Sequence, residues 1–128
     1  MKPVCLVIGA GAGIGGTVGR RFAKEGYHSV LCRRSDEEGL KRLVLNIKED
    51  GNDATGFLLN AAKDNTIEER VSQVESEVGP IEVVVFNLGA QVGNRTLEET
   101  AYKVFELGWR MATFALFRVA SSVCPLME

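Results

Sequence analysis

Val4-Cys5-Leu6-Val7-Ile8-Gly9-Ala10-Gly11-Ala12-Gly13-Ile14-Gly15-Gly16 is the stretch whose reading decides the fold. Its first five residues form a short continuous apolar run closed by glycine, the pattern of a strand buried on both faces of a parallel sheet. From Ile14 the period changes. Ile14, Val18 and Phe22 recur every four residues beside Arg20, Arg21, Lys24 and Glu25. This predicts an amphipathic helix with those three as its buried stripe, ending near Gly26.

Between strand and helix, glycine serves three ends: a tight turn, an unobstructed backbone beside a pyrophosphate, and close packing of helix on sheet. The helix amides at Ile14 and Gly15 would then offer hydrogen bonds and a positive dipole to phosphates. Two registers compete. The form G-x-G-x-x-G fits only as Gly11, Gly13 and Gly16, starting two residues after the strand. The form G-x-x-x-G-x-G fits from the strand end as Gly9, Gly13 and Gly15, and is the register adopted here. A dinucleotide is the expected ligand.

The tip of the next strand selects between cofactors. An NAD(H) site needs a carboxylate there for the ribose hydroxyls, and a carboxylate repels a 2′-phosphate. This chain has Arg33-Arg34-Ser35, with no acid between Val30 and Ser35. Arginine presents a planar fork suited to phosphate oxygens, so NADP(H) is expected in preference to NAD(H).

Further along, residues 29–32 read as the second strand. Ser35-Asp36-Glu37-Glu38 places a capping serine three residues before a glutamate, and Leu40, Leu43, Val44 and Ile47 give the second helix its apolar face. Gly51-Asn52 breaks it. Residues 55–59 read as a third strand, Ile67, Val71, Val74 and Val78 as the stripe of a third helix, and residues 81–86 as a β-branched fourth strand. Residues 100–126 read as one long helix, apolar almost all round and hence covered on two sides. The alternation gives one α/β domain with a parallel sheet.

Bulk properties exclude several classes. Of 128 residues, 45% are hydrophobic and 25% charged, the profile of an ordinary globular domain. A net charge of −2, with no interleaving of basic and aromatic residues, gives no nucleic-acid footprint. The charge is uneven: nine Lys/Arg against six Asp/Glu in residues 1–50, and six against eleven in residues 51–128, so the positive excess lies beside the suspected phosphate site. Cys5, Cys32 and Cys124 read as reduced core residues, His28 as a satisfied or solvated strand-end histidine, and no cluster has metal-ligand spacing. With the first strand starting almost at Met1 and no apolar stretch long enough for a membrane span, a cytoplasmic protein without membrane association is expected.

These residues resemble the short-chain dehydrogenase/reductase family. Residues 9–15 are similar to its TGxxxGxG loop, with Ile8 where threonine is usual. Phe86-Asn87-Leu88-Gly89 is similar to its Asn-Asn-Ala-Gly stretch after the fourth strand, and Trp109-Arg110-Met111-Ala112, followed by Phe117 and Pro125-Leu126-Met127, to its fourth-helix pattern. The resemblance implies an incomplete Rossmann-type doubly wound sheet of about four strands and four helices. Residues 1–128 would be the NAD(P)-binding domain, cut short at its C-terminus. It further implies that Asn60 lies near the adenine, that Asn87, Leu88 and Gly89 pass the adenosine ribose and nicotinamide side, and that a small carbonyl or alcohol compound is the substrate. Family dimers imply a homo-oligomer through residues 100–126.

Two departures from the family pattern bear on catalysis. Ala112 stands where the family places an asparagine that supports its proton relay. The family's catalytic serine and Tyr-x-x-x-Lys lie beyond the fourth helix, and neither Tyr27 nor Tyr102 has a lysine four residues on, so no catalytic residue is assigned in this chain. Three readings follow: the cofactor half of an oxidoreductase, an NADP(H)-binding sensor or scaffold without catalysis, and a truncated non-catalytic subunit. A sheet ending at residues 81–86 would also expose a hydrophobic edge and leave one apolar face of the last helix uncovered.

Overall fold

The computed structural model describes residues 1–88 and 95–128. Four strands, β1 (Val4–Ile8), β2 (His28–Arg33), β3 (Ala54–Leu58) and β4 (Ile81–Phe86), form one parallel sheet in the order β3-β2-β1-β4. Helices α1 (Ile14–Lys24), α2 (Glu37–Glu49) and α3 (Thr66–Glu77) connect them, and α4 (Tyr102–Trp109) and α5 (Ala115–Val123) follow β4. The alternation expected from the sequence is thus present, with strand 3 beginning at Ala54 rather than at residue 55.

β1 is central because every residue in it is apolar; all five are buried. Its side chains alternate between two cores, as strand geometry requires. Val4, Leu6 and Ile8 face one with Ile67, Val71, Val74, Val119 and Val123. Cys5 and Val7 face the other with Ala23, Leu31, Leu40 and Ile47. A sheet covered on both faces is the doubly wound arrangement. Burial pushes the Cys5 thiol up to about 11 and the Cys32 thiol up to about 12, so both are inert apolar packing groups. Cys124, by contrast, is not a core residue: it is exposed at the start of the closing 3₁₀ turn, which buries no residue.

Three local expectations are corrected. The buried stripe of α1 is Gly15, Gly16, Gly19 and Ala23; Ile14 is exposed, and Val18 and Phe22 are only half-buried. Small residues win that face because α1 lies close to the strands: a β-carbon on Gly19 would stand 2.5 Å from Leu31 Cδ2, and Ser29 Oγ donates to Gly19 O at 2.6 Å. The cap of α2 is Asp36, whose Oδ1 accepts from Gly39 N at 3.1 Å, in place of Ser35. Last, residues 100–126 are not one regular helix. A π-helical turn, Arg110–Phe114, separates α4 from α5, and a 3₁₀ turn, Cys124–Met127, ends the segment. α4 buries no residue, and Tyr102, Phe105, Leu107, Trp109, Leu116 and Phe117 are all exposed. The segment is covered on one side only, where α5 packs on α3 and the sheet.

His28 is tied across the sheet, Nε2 to Thr55 Oγ1 at 2.8 Å. Burial holds its protonation constant below the ordinary value, against the weaker opposing pull of Asp53. A group whose folded value is depressed in this way favours the neutral form, so its contribution is full above the ordinary value near 6.5 and is lost as pH falls toward the folded value. Solvent screening around the partly exposed ring keeps this loss small. Urea unfolding at pH 7.5 and pH 5.5 should show this component in the wild type and not in His28→Gln.

Candidate cofactor site

The C-terminal ends of all four strands lie along one edge of the sheet, and the chain reverses its direction of travel across the sheet between β1 and β4. Ligands of open α/β sheets bind at such a switch point. Here it is closed by backbone. Gly9 N and Ala10 N both donate to Cys32 O at 2.9 Å, tying the loop to β2, and Asn87 N donates to Ile8 O at 2.8 Å, tying it to β4. Gly9 has φ +98°, and a β-carbon there would overlap Asn87 O and lie 2.7 Å from its carbonyl carbon. On Gly15 it would overlap Gly9 O. Both positions require glycine to let backbone meet backbone.

Gly11 and Gly13 differ. A β-carbon on either would meet nothing within 4 Å, and their φ values lie outside the left-handed region. No neighbouring atom of the protein requires glycine at these two positions. They bound an open cradle over the start of α1, which has no capping side chain and no acidic residue in its first turn. Helices α2 and α3 each carry two glutamates there. An uncapped, acid-free helix start beneath bare Cα atoms is where a pyrophosphate fits. Ile14, exposed at that start, offers its amide.

The remaining predicted residues gather around this edge. Arg33 ends β2, its carbonyl accepting Leu59 N at 2.9 Å, which brings Asn60 to the neighbouring strand tip. Arg34 is exposed. Asn60 is exposed too, with Oδ1 accepting from Ala62 N at 3.1 Å and its carbonyl accepting from Thr66 Oγ1 at 2.7 Å. Asn87 Nδ2 reaches Gly9 O at 3.4 Å, and Leu88 follows it half-buried. Gly89 lies outside the described residues.

Two features escaped the sequence reading. One is Asp36: although placed past Ser35, it turns back so that Oδ2 lies 3.6 Å from Arg33 Nη2, putting a carboxylate beside the arginine pair. The other is a pair of arginines that hold residues 60–65. Arg118, 8% exposed, donates to Ala61 O, Lys63 O and both carboxylate oxygens of Glu68; Arg110 donates to Ala62 O and Asp64. Charged residues inside an apolar helical run were the available signal. Among the described residues no group of three His, Cys, Asp or Glu side chains could hold a metal ion, and no helix is long and apolar enough to cross a membrane.

Comparison with known proteins agrees with this geometry. The chain is 30% identical over 94 residues to the 3-oxoacyl-acyl-carrier-protein reductase FabG of Staphylococcus epidermidis, a stretch covering 73% of this chain and 38% of that one. Among solved structures, it superposes on an actinorhodin polyketide ketoreductase with NADPH (TM-score 0.88, 32% identity, 98% of this chain and 48% of that one). It superposes equally on L-sorbose reductase of Gluconobacter frateurii complexed with NADPH and L-sorbose (TM-score 0.88, 28% identity, with the same coverage of each chain). The chain therefore spans about half the length, or less, of the relatives it matches. With the short chain dehydrogenase model matching residues 3–128, nearly the whole sequence, this chain belongs to the short-chain dehydrogenase family.

Proposed function

We propose that residues 1–128 form the cofactor-binding half of an NADP(H)-dependent short-chain oxidoreductase of the cytoplasm. Its reaction is hydride transfer between nicotinamide and a small carbonyl or alcohol substrate. The observation that carries this reading is the open cradle over the uncapped start of α1, where Gly11 and Gly13 have no packing reason to be glycine. The nicotinamide cofactor supplies the hydride chemistry, while the chain binds and orients it. Gly9, Gly13 and Gly15 shape the loop; the amides of Ile14 and Gly15 face the phosphates; Asn60 takes the adenine side; and Asn87, Leu88 and Gly89 take the ribose and nicotinamide side. Arg33 and Arg34 carry the preference for a 2′-phosphate. NADPH-bound relatives with comparable folds support that preference. The exposed aromatic and aliphatic residues of α4 and α5 support a homo-oligomer formed through residues 100–126.

Calorimetric titration with NADPH and NADH tests the binding claim. NADPH should bind more tightly, and Arg34→Ala should weaken NADPH by about tenfold while leaving NADH nearly unchanged. Equal loss for both cofactors, or tighter NADH binding by the wild type, would refute the 2′-phosphate assignment. Turnover of NADPH with a panel of aldehydes and ketones, followed at the cofactor absorbance band with this chain and with any longer parent, tests the enzyme claim. Ala112, within the π-helical turn at the family's asparagine position, favours a second reading: an NADP(H)-binding sensor, scaffold or non-catalytic subunit. Tight binding without turnover by the longer form would select it.

A further inference from the structure

We propose that Asp36 sets how strongly this site prefers a 2′-phosphorylated dinucleotide, acting as a fixed competitor for Arg33. The inference rests on the NADP(H) reading above and deepens it. Three residues form one unit. Asp36 has φ 58°, a left-handed conformation uncommon outside glycine, asparagine and aspartate, which aims its carboxylate back toward β2. Its Oδ1 caps Gly39 N at 3.1 Å and its Oδ2 faces Arg33 Nη2 at 3.6 Å. Gly39 occupies the first turn of α2, where glycine weakens a helix. A β-carbon there would overlap Asp36 Oδ2 and approach Arg33 Nη1 to 2.8 Å, so the missing side chain makes room for the pair.

The two arginines are therefore not equivalent. Arg34 stands free in solvent, whereas the Arg33 side chain is only 21% exposed and already faces a carboxylate. A 2′-phosphate approaching Arg33 meets that carboxylate as a like charge, while an unphosphorylated ribose meets it as a hydrogen-bond acceptor. Asp36 thus acts against NADPH and in favour of NADH, narrowing a preference that Arg34 alone would make wide.

Asp36→Asn separates charge from structure, since asparagine caps helices and tolerates the left-handed region as well as aspartate does. Calorimetric titration of the full chain with NADPH and NADH at 50 mM and 500 mM salt provides the test. In Asp36→Asn, the ratio of NADPH to NADH affinity should rise about five- to tenfold at low salt. The gain should shrink at high salt, as an effect of exposed charge must. An unchanged or falling ratio in Asp36→Asn overturns the proposal, as does a gain that salt does not reduce. A wild type that prefers NADH overturns the NADP(H) reading instead, and leaves the ratio in Asp36→Asn to judge Asp36 separately. Binding of neither dinucleotide overturns both. Gly39→Ala, whose β-carbon displaces the Asp36 carboxylate from Arg33 without altering charge, should also raise the ratio; a change in melting temperature with no rise in the ratio counts against the proposal.

Discussion

Gly13→Val is expected to weaken NADPH binding by about a hundredfold or more while the chain still folds. Gly13 has no neighbour within 4 Å of a would-be β-carbon, so a side chain there projects into open space. It also caps α1 without a side-chain hydrogen bond, so exchanging it sacrifices no cap contact. Valine is a poor N-cap residue, and the cost to stability is about 1 kcal/mol, or a fall in Tm of no more than about 5 °C. Its branched side chain would fill the space over the first amides of α1, where the pyrophosphate is proposed to lie. Gly9→Ala makes the opposite experiment, because its β-carbon overlaps Asn87 O and its φ of +98° disfavours any L-residue, so folding and binding should fail together. Circular dichroism melts beside calorimetry of each variant separate the two cases. Wild-type NADPH affinity in Gly13→Val would place the cofactor elsewhere.

The contrast between those two glycines marks how far a sequence can be read here. Spacing alone located the loop, since strand, loop, helix and second strand follow one another at fixed distances. It could not show that Gly9 and Gly15 serve backbone packing while Gly11 and Gly13 serve open space, because that depends on which carbonyl passes behind each Cα. The same limit misplaced the buried stripe of α1. A 3.6-residue period marks large apolar residues, whereas this helix buries glycines so that it can approach β1 and β2 closely. Asp36 was read as part of a cap signal, and its capping role does lie there, one residue from the serine chosen. Its second contact, with Arg33, required the left-handed turn that only the fold reveals. The π-helical turn has no compositional signature in Arg110–Phe114 at all.

Arg118→Ala should destabilise the fold by about 2–4 kcal/mol, the largest stability loss expected from removing a single polar side chain among the described residues. The guanidinium donates at 3.0 Å and 2.7 Å to the two oxygens of Glu68 and at 2.8 Å and 3.1 Å to the carbonyls of Ala61 and Lys63. Truncation leaves two carbonyls and a carboxylate short of donors. Glu68 is 44% exposed and recovers part of its hydration, which keeps the loss below that of a fully buried pair. Arg118→Lys should restore less than half, because one ammonium cannot supply the forked geometry. Acid provides an internal check. The Arg118 guanidinium holds the Glu68 carboxyl below the usual carboxylate range, so the pair's contribution is full above the ordinary value near 4.5 and fades as pH falls through the folded value. The gap between wild type and Arg118→Ala, measured by urea unfolding, should therefore narrow from pH 7 toward pH 3. Because these bonds hold the loop that starts at Asn60, NADPH affinity should fall along with stability, and Glu68→Gln, which keeps an acceptor for Arg118, should lose less of each. A loss under about 0.5 kcal/mol in Arg118→Ala would mean that water replaces the clamp at little cost, and that the loop is held by its own turn contacts from Asn60 to Thr66.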